Sequence, residues 1–323
     1  SAQDPIFAQA RMEKSWPDVI ILDVEMPRMD GITFLKKIMA ERPTPVIMCS
    51  TLTSEGTKTS IQALSIGAID VIAKPKVNLK ESLPEASSAL VSAIRTAAKA
   101  NMASVKPKPI APIPKVAAKL TADAMLSRGV SRNVCRTGAL IAIGASTGGT
   151  QALEAVLTAL PANTLPILIV QHMPENFTRT FAERLNNLCR VEVKEAEDND
   201  ALLPGRVLIA PGGRHMMLHT TQFGASVQVK DGPQVSRHKP SVDVLFRSVS
   251  KFAGNNALGI IMTGMGDDGA KGLKEMHDSG AKTIAQNEAT CVVYGMPQEA
   301  VKLGAADHII ALNKIPEMIV SHK

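Results

Sequence analysis

Leu140-Ile141-Ala142-Ile143-Gly144-Ala145-Ser146-Thr147-Gly148-Gly149 decides the fold. Its first half is an apolar run of strand length, its second half a glycine-rich turn, and residues 152–160 behind it have helical spacing. Strand, tight turn, helix is the repeating unit of a parallel α/β sheet. The unit recurs: an apolar run at 165–170 precedes a helical stretch at 177–188, and one at 258–262 precedes another around 271–277. A further run lies at 207–210. Residues 137–323 are therefore expected to form one doubly wound, Rossmann-like domain.

Working back toward the amino terminus, residues 104–136 change character, with Pro107, Pro109, Pro112 and Pro114 alternating with Lys106, Lys108, Lys115 and Lys119. Closely spaced prolines lack donor N–H groups and favour extended backbone, so a Pro/Lys-rich linker is expected over 101–136, with a short helix within 116–126. Ahead of it, apolar runs at 19–22, 46–49 and 68–73 alternate with helical stretches, which predicts a second parallel-sheet domain over 1–100. Asp23, Ser50 and Lys74 stand just past these runs. Ligands of open parallel sheets bind outside the carboxyl ends of the strands, so the three have the topology of one shared site. Asp23 also reads simply as a turn residue.

The composition excludes several classes. With 323 residues, 45% apolar and 20% charged, the chain is neither disordered nor fibrous. No apolar run approaches the roughly 18 residues of a membrane span, and no basic segment followed by an apolar one marks a secretory signal. Its 36 basic and 30 acidic residues give a net charge of +6, which favours acidic partners mildly. Seven Phe, one Trp and one Tyr are too few for a stacking platform on single-stranded nucleic acid. A DNA-binding output would need a compact helix-turn-helix, whereas the segment after the linker is long and strand-rich. Cys49, Cys135, Cys189 and Cys291 are scattered singly, without metal or disulfide spacing, which suits a reducing cytoplasm.

Chemistry concentrates after residue 139. Gly144-x-Ser146-x-Gly148 fits a nucleophile elbow, in which a sharp strand-to-helix turn exposes a hydroxyl. Free N–H groups at the helix start would stabilise an oxyanion there, with the amide of Thr147 best placed. The same context could be a non-catalytic phosphate- or nucleotide-binding loop. However, Gly148-Gly149-Thr150 lacks the P-loop lysine, and Ser146 stands where the dinucleotide fingerprint needs glycine. Among seven histidines, His172 lies at a strand end beside Ser146 if consecutive strands are neighbours; His215, after Pro211-Gly212-Gly213, is its rival. An orienting carboxylate is offered by Asp267 or Asp268 in Thr263-Gly264-Met265-Gly266-Asp267-Asp268-Gly269, where either could instead be a helix cap. The order Ser, His, Asp differs from that of the α/β-hydrolases. Arg214, Arg237 and Lys239 could face an acidic partner.

Two resemblances sharpen this. Ile20-Ile21-Leu22-Asp23-Val24-Glu25-Met26-Pro27, Met29-Asp30-Gly31, residues 46–50 and Lys74-Pro75 resemble a two-component receiver domain, a flavodoxin-like fold. That resemblance implies Asp23 as phosphoryl acceptor, Ser50 as switch hydroxyl, Lys74 as partner of the phosphoryl oxygens, and Glu25 as a backbone ligand of magnesium. A receiver's first strand ends in an acidic pair that holds the magnesium. The chain starts past that point and is expected to be an amino-terminally truncated receiver, with Asp4 no substitute for the pair.

The whole chain resembles the chemotaxis protein-glutamate methylesterases. The motifs are Gly144-Ala145-Ser146-Thr147-Gly148-Gly149, Gln171-His172-Met173-Pro174, Ala210-Pro211-Gly212-Gly213-Arg214-His215, residues 263–269, Ala285-Gln286-Asn287-Glu288 and Tyr294-Gly295-Met296-Pro297. The resemblance implies Ser146 as nucleophile, His172 as general base and acid, Asp268 as orienting carboxylate, and Met265 as a backbone contributor beside Thr147 at the oxyanion. It implies hydrolysis of glutamyl methyl esters on chemoreceptors, with methanol released, and deamidation of receptor glutamines. No cofactor serves that catalysis; magnesium serves receiver phosphorylation in the full-length protein. The implied partners are methyl-accepting chemoreceptors as substrate and a histidine kinase as phosphodonor, in the cytoplasm. An unphosphorylated receiver is implied to pack over the catalytic face and restrain it.

Overall fold

The computed structural model describes residues 1–2, 4–24, 26, 29–50, 54–73, 90–102, 120–127, 138–221 and 224–322. The chain divides into two units, Ser1–Pro112 and Ile113–Lys323.

In the first unit α1 (Pro5–Met12), β1 (Ile20–Asp23), α2 (Gly31–Glu41), β2 (Val46–Ser50), α3 (Ser54–Ile66) and β3 (Asp70–Ala73) alternate. The strands pair in parallel in the order β1-β2-β3. Val46, Ile47 and Met48 of the central strand are fully buried, as are Leu35 and Ile38 of α2, so the apolar runs form the core. Asp4 caps α1, accepting from the amides of Ile6 and Phe7 at 2.9 and 3.1 Å. Asp23 and Ser50 close β1 and β2 at the carboxyl edge of the sheet, where Asp23 pairs with Cys49. Glu25 and Lys74 lie outside the described residues.

In the second unit β4 (Leu140–Ala145), α4 (Gly149–Thr158), β5 (Ile167–Gln171), α5 (Phe177–Leu188), β6 (Glu192–Glu195) and β7 (Arg206–Ile209) lead to β8 (His215–Thr221) and β9 (Gly224–Lys230). Then come α6 (Val242–Phe252), β10 (Ala257–Ile261), α7 (Ala270–Asp278), β11 (Lys282–Gln286), α8 (Met296–Lys302), β12 (His308–Ile310) and α9 (Ile315–Ser321). Seven strands form a parallel sheet in the order β12-β11-β10-β4-β5-β7-β6. Every residue of β4, β5 and β10 is buried, which requires helices on both faces and explains their nearly continuous apolar sequences. The chain runs outward from β4 through β5 to β6 and β7, then returns to β10 on the other side of β4. The carboxyl ends of β10, β4 and β5 therefore meet at the topological switch point.

β8 and β9 depart from the parallel pattern as an antiparallel hairpin, with His215 opposite Lys230 and Thr221 opposite Gly224. Met216 and Leu218 from β8 join the core with Val227 and Val229 from β9. The hairpin packs on α6, where the amide of Leu218 donates to Ser248 Oγ at 2.8 Å. Residues 120–127, from the expected linker, also pack on the second unit. Ala122, in a short 3-10 turn, is buried with Met217, Val235 and Val244. Buried Arg247 of α6 donates to Asp123 Oδ1 at 2.8 Å, to the carbonyl of Leu126 at 3.1 Å, and to both carboxylate oxygens of Glu275.

α6 and α7 cap each other. Asp268, two residues ahead of α7, accepts from the first amides of α6, those of Val242 and Asp243, at 2.8 and 3.0 Å. Asp243, in the first turn of α6, accepts from the amide of Gly272 in α7 at 2.8 Å. Each carboxylate thus lies at the positive end of the other's helix. Burial, followed by the neighbouring charge of Asp268, pushes the Asp243 carboxyl up to about 7.

Two outcomes are expected in urea unfolding. A Cβ on Gly272 would lie 2.7 Å from Phe246 Cβ and 3.0 Å from Asp243 Cα. Gly272→Val should therefore cost about 1–3 kcal/mol by overpacking, despite removing a helical glycine. Asp243 keeps its proton in the folded chain after the unfolded chain has lost it, so its contribution to stability falls as pH rises from the ordinary 3.8 to about 7 and then levels. The stability of Asp243→Asn relative to the parent should rise across that window and be flat above it.

Candidate active site

Ser146 follows β4, His172 follows β5, and Asp268 follows β10, the three adjacent strands at the switch point. Ala145 pairs with Gln171 in register, and the amide of His172 donates to the carbonyl of Ala145 at 3.1 Å, so Ser146 and His172 leave the sheet at one level. On the other side the amide of Ser146 donates to the carbonyl of Thr263 at 3.0 Å. Strand order, rather than sequence distance, assembles the three.

The strand-turn-helix reading of residues 140–149 holds. Gly148 has φ +77° at the cap of α4, a left-handed conformation that glycine adopts without penalty, and this bends the chain sharply after Ser146.

His172 Nε2 lies 2.7 Å from Asp268 Oδ2. An ionised carboxylate only accepts, so the ring proton sits on Nε2 and Nδ1 carries the lone pair. Nδ1 is buried and has no hydrogen-bond partner among the described residues. A buried, unsatisfied acceptor is costly in a folded protein, and here it belongs to the ring whose expected task is to take a proton.

Asp268 is fully buried and accepts four bonds. Oδ2 receives His172 Nε2 and the amide of Val242; Oδ1 receives the amide of Asp243 and Ser241 Oγ at 2.8 Å. Burial alone would raise its pKa. The bond from His172 and the imidazole charge outweigh burial, with further help from His238 and the Asp243 amide, and hold the carboxyl below its ordinary value. Asp268 is thus both a helix cap and the partner of His172, and the helix it caps is α6, not its own. Asp267 makes neither contact; its carbonyl accepts from Ala270.

His215 does not reach this cluster as a base. It is fully buried, donates from Nε2 to the carbonyl of Pro233 at 2.9 Å, and accepts the amide of Ser241 on Nδ1 at 3.2 Å. Burial pushes its pKa down.

The neighbour that sequence reading missed is His238. Its ring stacks on that of His172 with centroids 3.7 Å apart and planes 2° from parallel. Nδ1 of His238 donates to the carbonyl of Ser236 at 2.8 Å. Ser236 and Arg237 just before it have φ of +49° and +69°, uncommon for residues with side chains. A histidine eight residues past the end of a strand gives no positional signal of this kind. Ring nitrogens of His172 and His238 and an oxygen of Asp268 lie within 4.8 Å of one another. Parallel stacked rings aim their in-plane lone pairs side by side rather than at one point, and Asp268 already accepts four bonds, so the set is poorly arranged to hold a metal ion.

In the first unit Asp23 and Ser50 share the carboxyl edge, as expected. Asp4, the other carboxylate considered, serves as a cap. Asp23 is one donor of the six that magnesium takes, which does not by itself make a magnesium site.

Comparisons with known proteins agree with this architecture. The CheB methylesterase family model matches residues 141–319, and the response regulator receiver domain model matches residues 1–83. A Chromobacterium violaceum protein-glutamate methylesterase/protein-glutamine glutaminase is 62% identical over 322 residues, covering 98% of this chain and 90% of that protein. A Shewanella oneidensis protein of the same description is 59% identical over 320 residues, covering 99% and 90%. The crystal structure of the Thermotoga maritima CheB methylesterase catalytic domain is 36% identical with a TM-score of 0.56, covering 57% of this chain and 98% of that one. Together with the strand-end cluster on a doubly wound sheet, these place the chain in the CheB methylesterase family, as a hydrolase carrying a response regulator receiver domain.

Proposed function

We propose that this protein hydrolyses glutamyl 5-O-methyl esters on chemoreceptors and deamidates receptor glutamines, with Ser146, His172 and Asp268 as its catalytic triad. The observation that carries the reading is the buried, unpartnered Nδ1 of His172, whose other nitrogen is held by Asp268. Ser146 Oγ attacks the side-chain carbonyl while Nδ1 takes its proton, and the tetrahedral oxyanion is held by backbone amides of Thr147 and Met265. The imidazolium returns the proton to the leaving oxygen, and methanol departs. Water, deprotonated by the same Nδ1, then attacks the acyl-enzyme and releases the glutamate. A glutamine side chain follows the same route with ammonia leaving. Through both halves Asp268 keeps the proton on Nε2 and stabilises the charged ring.

The names of the curated relatives support the substrate class, and the receiver match supports control by phosphorylation. In this reading a histidine kinase phosphorylates Asp23, with Ser50 as switch hydroxyl, Lys74 as partner cation and magnesium as the ion that phosphoryl transfer uses. The enzyme works in the cytoplasm on the cytoplasmic parts of its receptors. Among the described residues no helix is long and apolar enough to cross a membrane.

Methanol release from a methylated chemoreceptor tests the assignment. Ser146→Ala and His172→Ala in the full chain should each lower turnover by about 10³- to 10⁶-fold, and near-parental release from either would sink it. Retained anion affinity without turnover in the parent would favour a phosphate- or nucleotide-binding module instead. Asp268→Asn should lose rate on the order of 10⁴-fold. It should also lose stability in urea, because each oxygen of Asp268 accepts a backbone amide and the asparagine NH₂ must face one of them.

A further inference from the structure

Two peptide planes follow Ser146, and each is held by its carbonyl. The Ser146 carbonyl accepts Gln171 Nε2 at 2.9 Å and the amide of Gly149 at 2.7 Å. The Thr147 carbonyl accepts Thr263 Oγ1 at 2.9 Å. Thr263 has one hydroxyl proton and a second acceptor, the Val293 carbonyl, at 3.3 Å. The shorter bond and the return donation from the Val293 amide at 3.0 Å direct that proton to Thr147.

In a trans peptide the C=O and N–H bonds point in opposite directions. Fixing these carbonyls therefore fixes the amides of Thr147 and Gly148, turned away from Gln171 and Thr263. Neither amide has a hydrogen-bond partner among the described residues.

Both pinning side chains are buried, at 3% exposure for Gln171 and 1% for Thr263, and both are over-determined. Thr263 also gives its carbonyl to the Ser146 amide and its own amide to Gln286 Oε1 at 2.9 Å. Gln171 Nε2 spends its second proton on the carbonyl of His172 at 3.1 Å, so one side chain ties the nucleophile's backbone to the base's. Its Oε1 is buried without a partner among the described residues, packed where a Cβ on residue 149 would lie 2.1 Å away. A fold selected for stability alone would not leave that oxygen unpaired.

We propose that Thr263 and Gln171 are positioning residues that aim the amides of Thr147 and Gly148 at the oxyanion, making Gly148 a donor in addition to Thr147. The proposal rests on Ser146 being the nucleophile. The pins act on the transition state and leave ground-state binding alone, since the oxyanion exists only after attack.

The test uses the full chain with parent, Thr263→Val, Thr263→Ser, Gln171→Leu and Ser146→Ala. It measures kcat and KM for methyl-ester hydrolysis and the Ki of a boronic acid that forms a tetrahedral anion on the nucleophile. Thr263→Val should lower kcat and weaken the boronate by the same factor, about 10- to 100-fold, with KM within twofold. Thr263→Ser, which restores the hydroxyl, should recover both to within about threefold. An unchanged boronate Ki in the valine variant, or a serine variant as impaired as the valine one, overturns the proposal. Should the valine chain not fold, Gln171→Leu is judged by the same matched loss, and an unchanged Ki there is equally fatal. Ser146→Ala separates the levels: if it still turns over, the nucleophile assignment has failed, whereas an inactive Ser146→Ala beside an unaffected Thr263→Val fails the pins alone.

Discussion

The cluster at the carboxyl edge of the second unit's sheet depends on one buried anion. A carboxylate taken out of water costs several kcal/mol unless its oxygens are met by donors. Asp268 is met by four: two amides at the start of α6, the hydroxyl of Ser241 and the imidazole of His172. The first three are needed for Asp268 to be buried at all, and they leave one direction open, the one His172 occupies. A structural requirement of the α6–α7 junction and the orientation of the His172 ring are therefore satisfied by the same atom set. The reciprocal cap from Asp243 completes that junction and places a second carboxyl beside the first.

Around this anion the strand order does the assembling. β5 and β10 flank β4, so the residues after them approach Ser146 from opposite sides although they lie 96 positions apart in the chain. The ring of His172 is then closed in by His238, whose loop adopts left-handed φ at two residues with side chains. Such conformations cost on the order of 1 kcal/mol or more each and persist where the surroundings over-determine them. Here the amide of Val235 bonds the His238 carbonyl, the amide of Ser236 bonds the Leu120 carbonyl, and Ser236 Oγ bonds Asp243. Local strain and unpaired polar atoms gather at the strand ends, while the sheet below them is apolar and buried.

Much of this was legible in the sequence because the signals were local. An apolar run followed by a serine or a histidine announces a strand and a strand-end side chain together, as at Ser146 and His172, and a glycine-rich turn after the third run carries Asp268 to the same edge. Which of Asp267 and Asp268, and which of His172 and His215, makes the contact between ring and carboxylate was not a local matter. It depended on which side chain the α6 amides could reach and on what buries His215. The β8–β9 hairpin escaped a reading tuned to alternating strands and helices, since both of its strands are half-polar runs. Thr263 and Gln171 carried a signal that was passed over: a polar residue at the carboxyl end of an otherwise apolar strand, the same mark that singled out Asp23 and His172.

The docking of residues 120–127 bears on where the esterase unit begins. Arg247 is buried with its guanidinium shared between Glu275 on one side and Asp123 and Leu126 on the other. Ala122 covers Met217, Val235 and Val244, and the Leu120 carbonyl holds the loop that presents His238. A piece cut at residue 137 would expose half of a buried cation and three apolar side chains while releasing one anchor of the strained loop. The smallest piece that keeps its own surface intact begins near residue 120, inside what composition alone marks as spacer.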